Sequence, residues 1–227
     1  MNILFFIICL VVSYAIVVLS YKFLGKLGLF LVSALYLIIV NIFAIESVEL
    51  AGYAIALGTL LYGTIFLVKD ILIEKYGEKI ALKSVITDSI VILIFTLLTS
   101  LFLCFIPVAS PASDAITTVF ALIPRIFLGS LVAYIISAFI KIKLYTKIKE
   151  KYKKLYLSSN ISGLVAQLID SVIFISIAFI GVFSFATILE ILLATYIVKI
   201  IYTLFATPYL YWAVKTKKQP NDLPNIK

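Results

Sequence analysis

The stretch ILFFIICLVVSYAIVVLSYKFLGK, residues 3–26, runs apolar from Ile3 to Ser20 and then closes on Lys22 and Lys26. A helix of about 20 apolar residues crosses the ~30 Å of bilayer hydrocarbon, and the lysines behind it mark one membrane face. Outward from this unit the pattern repeats. Apolar stretches occupy residues 3–20, 27–45, 51–68, 85–106, 118–140, 160–182 and 186–213. Lysine fills every second gap: Lys22 and Lys26; then Lys69, Lys75, Lys79 and Lys83; then the run from Lys141 to Lys154; then the tail from Lys215 to Lys227. The gaps 46–50, 107–117 and 183–185 hold none. Short loops rich in Lys or Arg stay cytoplasmic, so the alternation predicts seven spans, N-terminus outside and C-terminus inside.

Composition agrees. The chain has 227 residues, 64% hydrophobic and 13% charged, with a mean hydropathy of +1.21. A soluble domain would be about half apolar and a quarter charged. No linker or low-complexity tract divides it, so the expectation is one integral membrane domain over 1–227. Its fold class is all-α, a polytopic helix bundle. It comprises an additional N-terminal helix at 1–26, a six-helix core at 27–213 and a cytoplasmic tail at 214–227. The first stretch has no basic region before it and no small-residue cleavage site, which reads as a retained helix rather than a signal peptide. The net charge of +8 lies on one membrane side, where anionic headgroups account for it better than nucleic acid does.

Several chemistries are closed. The chain has no histidine, hence no Ser–His dyad, H-E-x-x-H zinc site or histidine-ligated haem. Cys9 and Cys104 both fall in apolar stretches, which suits packing better than a disulfide or a metal site. No G-x-x-x-x-G-K-[ST] sequence is present, so P-loop hydrolysis is excluded. No cofactor and no metal are expected. Transport, or ligand capture for a transporter, becomes the default, and the chain reads as a non-enzyme.

Polar groups at membrane depth then carry the argument, because an ionised residue at a helix centre costs roughly 2.5–3.5 kcal/mol on insertion scales. Asp170 lies midway along the sixth stretch. Helical spacing puts Gly163, Ala166, Gln167, Asp170 and Phe174 on one face, offering a carboxylate, a carboxamide, a ring and two small residues. That face serves either a ligand or a helix contact. Lys199, in the seventh stretch, is the other deep charge and a candidate partner for Asp170, with Tyr196 and Thr203 on its face. Pro208 should kink that helix or end its regular part. Arg125, the sole arginine, follows Pro124 at the start of the fifth stretch, where a helix begins readily. Its fork reaches either headgroups or the interior. Asp70 and Glu74, four apart after the third stretch, place like charges on one helix face.

These residues fall into a family pattern. Asp70-Ile71-Leu72-Ile73-Glu74-Lys75-Tyr76-Gly77 resembles the D-[IL]-x-x-E-x-Y-G signature of the queuosine-precursor transporters, also called the vitamin uptake transporter family. The similarity continues in order through Pro124-Arg125-Ile126, Ala133-Tyr134, Ser159-Asn160-x-Ser162, Gln167-Leu168-Ile169-Asp170-Ser171, Lys199 and Pro208-x-Leu210-Tyr211, and Asn41 fits as well. It spans roughly residues 30–213 and leaves the first stretch as an addition. Departures are Lys69, where the family often has Thr; Ser137-Ala138-Phe139, where a Ser-Gln pair is frequent; and Lys141 or Lys143, where an acidic residue is usual.

The resemblance implies a multi-pass transporter in a bacterial inner membrane that imports a 7-deazaguanine for tRNA modification: the cyano or aminomethyl precursor, or queuine. Its partners would be that small molecule and the bilayer, with homo-oligomerisation left open. A guanine-like edge presents adjacent N–H donors beside a carbonyl, which a carboxylate matches two at a time. Asp170 would then receive the base edge with Gln167 beside it. Lys199 or Arg125 would balance charge or bond the carbonyl, Phe174 would stack, and Asn160 would complete the substrate set. Asp70 and Glu74 would serve gating or coupling. Two alternatives from other classes are a substrate-capture subunit driven by a separate ATPase and an aspartyl enzyme using Asp70 with Asp170.

Overall fold

A computed structural model describes residues 1–216 apart from 51, 122, 180, 182 and 183. The side chains of 53, 54, 121, 123–125 and 179 lie outside the described residues, as does the expected tail from residue 217 onward. In chain order come α1 (Asn2–Ile42), a 3-10 turn (Phe43–Ile45), β1 (Ser47–Leu50), β2 (Tyr53–Ala56), α2 (Thr59–Tyr76) and α3 (Glu78–Phe102). The order continues with α4 (Pro111–Ala121), α5 (Ile123–Tyr152), α6 (Leu155–Phe179) and α7 (Phe185–Lys215).

α1 is two helices. At Gly25 the backbone turns to φ 59°, ψ −135°, a conformation that costs a residue with a Cβ far more than glycine. The chain folds back there into an antiparallel hairpin. Tyr36 Oη donates to the Ser13 carbonyl at 3.2 Å, and Gly28 sits so close to the Ser20 carbonyl that a Cβ would not fit. At the far end Asn2 Nδ2 reaches the Glu49 carbonyl at 3.0 Å. The apolar stretches at 3–20 and 27–45 are the two arms.

Among the described residues, five segments are long and apolar enough to cross a membrane: residues 2–45, α3, most of α5, most of α6, and α7. α2 is different. It carries Lys69, Asp70, Glu74 and Lys75, yet nearly every residue from Leu60 to Leu72 is buried, because α2 packs against α1, α3, α5 and α7. Surrounding helices turn apolar faces outward. On α3, Ile86, Ile90, Leu93, Leu97 and Leu101 are exposed, while Ala81, Ser84, Asp88 and Ile92 face in. This is an all-α membrane helix bundle with one small exception.

The exception is a two-stranded hairpin, β1 against β2, with Ser47 opposite Ala56 and Leu50 opposite Tyr53. It occupies the first part of the expected 51–68 span, whose helix instead starts at Thr59 and runs on to Tyr76. The charges in 69–76 mimic a loop in sequence. They are tolerated in a helix because other helices pair them. Likewise the lysine-rich gap 141–159 is nearly all helix, the end of α5 and the start of α6. α5 begins at Ile123, with Pro124 in its first turn, and α7 continues through Pro208 without ending there.

Candidate functional site

A cavity of about 440 Å3 lies where the second arm of α1, the hairpin and the starts of α2 and α5 meet α6 and α7. Val40, Asn41, Gly58 and Tyr62 contribute one side of it, and Asp170, Ser171, Phe174, Thr195 and Lys199 the other. Ser47 is exposed and stands at its rim. The cavity thus belongs to the end of the bundle whose loops lack lysine.

Asp170 anchors it. Its Oδ2 pairs with Lys199 Nζ at 2.7 Å. Its Oδ1 accepts from Tyr62 Oη and from Ser137 Oγ at 3.3 Å. The Lys199 ammonium also lies 4.8 Å from the centre of the Tyr62 ring, a cation–π distance. Both charged side chains are almost fully buried, at 4% and 6% exposure. Charges so deep are kept only when paired and hydrogen-bonded. Four helices supply these groups: Tyr62 from α2, Ser137 from α5, Asp170 from α6 and Lys199 from α7.

Of the expected substrate residues, Asp170, Phe174 and Lys199 line the cavity together. Gln167 does not line it. It is buried one turn below Asp170, and its Oε1 has no hydrogen-bond partner. Asn160 lies two further turns down, accepting from Thr207 Oγ1 at 3.1 Å. The Arg125 side chain lies outside the described residues. Tyr196 and Thr203 turn to backbone carbonyls, of Leu164 and Lys199, and Thr195 lines the cavity wall.

Below the cavity a polar seam continues between α2 and α5. On α2, Tyr62, Phe66, Asp70 and Glu74 recur every four residues; on α5, Ser137, Lys141, Tyr145 and Lys149 do the same. Spacing of four keeps each set on one face. Lys141 Nζ lies 2.8 Å from Asp70 Oδ1 and 5.5 Å from the centre of the Phe66 ring. Ser159 Oγ donates to Asp70 Oδ2 at 2.6 Å. Next, Glu74 accepts from Tyr145 Oη at 2.8 Å and from Lys149 Nζ at 2.8 and 2.9 Å. Each acid therefore has its own lysine, which removes the like-charge conflict between Asp70 and Glu74. Ser159, bonded to Asp70, stands about 16 Å from Asp170 along α6 at 1.5 Å per residue. The two aspartates do not form an acid/base pair.

A further buried pair was not foreseen. Lys69 Nζ meets Asp88 Oδ2 at 2.7 Å, both side chains at 0% exposure. Asp88 sits just inside the apolar stretch 85–106 and Lys69, a family departure, at the head of a lysine-rich gap, so neither reads in sequence as half of a buried pair. Ser84 and Asp88, four apart just after Lys83, are the available signal: a polar face one turn long on an apolar helix.

A family model described as "Putative vitamin uptake transporter" matches residues 56–213. A Bacillus subtilis (strain 168) protein described as "Probable queuosine precursor transporter" is 36% identical over 222 residues, 96% of each chain. No solved structure matches the chain. The bundle, the cavity and the matched segment agree: this chain is a multi-pass bacterial membrane protein and belongs to the vitamin uptake transporter family.

Proposed function

We propose that this chain imports a queuosine precursor, a 7-deazaguanine, into the cytoplasm through alternating exposure of the cavity at Asp170. The observation that carries this reading is a paired carboxylate at the wall of a cavity large enough for a fused bicyclic base. Sites for small ligands are mostly apolar with a few fixed polar groups, as here. On arrival, the adjacent N–H donors of the base displace Tyr62 or Ser137 from Asp170. Lys199 stays paired with the carboxylate and turns one donor to the ring carbonyl. Phe174 lies against the ring face. Hydrogen bonds to charged groups contribute roughly 1.5–3 kcal/mol each, enough to select a base edge over an apolar solute.

The chain crosses the membrane seven times in this reading: two arms of α1, then α2, α3, α5, α6 and α7, with the N-terminus outside. Lysine-free loops then face outward, and the cavity is the outward-facing site. Asp70–Lys141–Ser159 and Glu74–Lys149–Tyr145 form the inner seal, two stacked ion pairs that must part before the base leaves inward. A Gln167 amide with an unpaired oxygen lies on that route and offers the first acceptor below the site.

Uptake of radiolabelled 7-deazaguanines into liposomes holding only this purified chain tests the proposal. Saturable uptake, competed by the cyano, aminomethyl or queuine form, is the expected result. Its absence, with uptake appearing only when an ATPase module is added, would assign the chain to substrate capture. Complementation of a precursor-requiring strain, scored as queuosine in its tRNA, extends the test to cells.

A further inference from the structure

The Lys69 ammonium fills a cage built by other helices. It donates to Ser33 Oγ on the second arm of α1 at 3.0 Å, and to Ser84 Oγ and Asp88 Oδ2 on α3 at 2.7 Å each. Those three contacts use all its N–H groups. Both hydroxyls spend their own hydrogens elsewhere, Ser33 on Asp88 Oδ2 at 2.6 Å and Ser84 on the Ala81 carbonyl at 3.0 Å. Their lone pairs are thereby turned on one point. Tyr134 Oη of α5 adds a third donor to Asp88 Oδ2 at 2.7 Å, while Asp88 Oδ1 is buried with no partner. Three oxygens hold the cation, and one more carboxylate oxygen stands unused. Hydroxyl and carboxylate oxygens converging on a dry centre are what a hard cation requires.

We propose that this is a monovalent-cation site which the chain occupies with its own lysine. Shortening Lys69 opens the cage to a free ion, sodium or ammonium, held by Ser33, Ser84 and both oxygens of Asp88. With Lys69 in place the positive charge is tethered, and no free cation enters. The cage stands on side-chain geometry alone. Only its meaning for energetics, that transport takes no sodium at this place, rests on the transport reading.

Thermal unfolding of the purified chain in choline chloride, titrated at constant ionic strength with sodium, ammonium or methylammonium chloride, tests the site. Lys69→Ala is expected to melt below wild type in choline and to regain about 5 °C or more, saturably, as the ion fills the cage. Wild type is expected to stay flat, and so is Lys69→Ala combined with Asp88→Asn. A flat Lys69→Ala, or one restored only by acid, overturns the proposal, because Asp88 then takes a proton rather than an ion. Lys69→Thr, which keeps an oxygen in the cage, is the second variant. If neither accumulates in sodium-containing medium the proposal also fails. A wild type stabilised by sodium as strongly as the variants overturns it independently. Loss of substrate uptake alongside an intact ion response counts against the transport reading alone.

Discussion

Asp170–Lys199 and Asp88–Lys69 are the same pair twice, with equal 2.7 Å contacts and nearly equal burial, yet their surroundings differ. Asp170 borders a cavity, and its second oxygen is held by hydroxyls that a ligand can replace. Asp88 does not line that cavity; three donors crowd one oxygen, and the pair locks α1, α2, α3 and α5 together. Depth and pairing alone do not distinguish a binding group from a structural one. What distinguishes them here is that the cavity lies beside Asp170 and not beside Asp88.

The sharpest way to break this contrast is Asp170→Asn. Losing two charged hydrogen bonds to the base, about 3 kcal/mol or more together, should lower uptake by roughly a hundredfold. Adding Lys199→Gln should restore melting temperature but not uptake; normal transport by either variant would remove Asp170 from the site. Asp88→Asn, by contrast, leaves Lys69 buried and unpaired, which should cost about 3–5 kcal/mol of stability. With Lys69→Met added, both stability and uptake should return, measured by melting and by liposome uptake. A double variant that is stable but inactive would give the Asp88 pair a role in transport.

Smaller effects test the frame around the pairs. Gly63→Ala puts a methyl group against the Tyr14 hydroxyl and the Tyr202 side chain, and should destabilise by about 1–3 kcal/mol in denaturant melts. Lys141→Met weakens the inner seal. A Gln167→Cys reporter, with Cys9 and Cys104 replaced by Ala, should then react several-fold faster with a charged maleimide applied from the cytoplasmic side. An unchanged labelling rate would place the seal elsewhere.

The sequence carried the apolar stretches and the Asp170 face, because hydropathy and helical period are local properties. It misplaced α2 because a charged helix wrapped by four others looks like a loop until its partners are known. Lys69 and Lys141 were read among cytoplasmic lysines, yet each neutralises a buried aspartate. Lys69 and Lys141, the latter one of two positions given for its departure from the resemblance, each face an acid, Asp88 or Asp70. Tyr62 carries no signal in the sequence and Ser137 stands there only within a family departure, since a tyrosine or serine in an apolar helix is ordinary by composition. Only the fold brings both hydroxyls to one carboxylate. Gln167 and Asn160 share the Asp170 helix, but a stripe on a helix extends past any single cavity.

Tyr14 in the first arm donates to the Tyr202 carbonyl on α7 at 3.0 Å, a bond between residues 188 apart. At ribosomal speeds of 5–20 residues per second, roughly 10–40 s separate the making of these two partners. The first arm is therefore made well before the helix whose carbonyl answers its Tyr14 hydroxyl, and the hairpin meets α7 only across that delay.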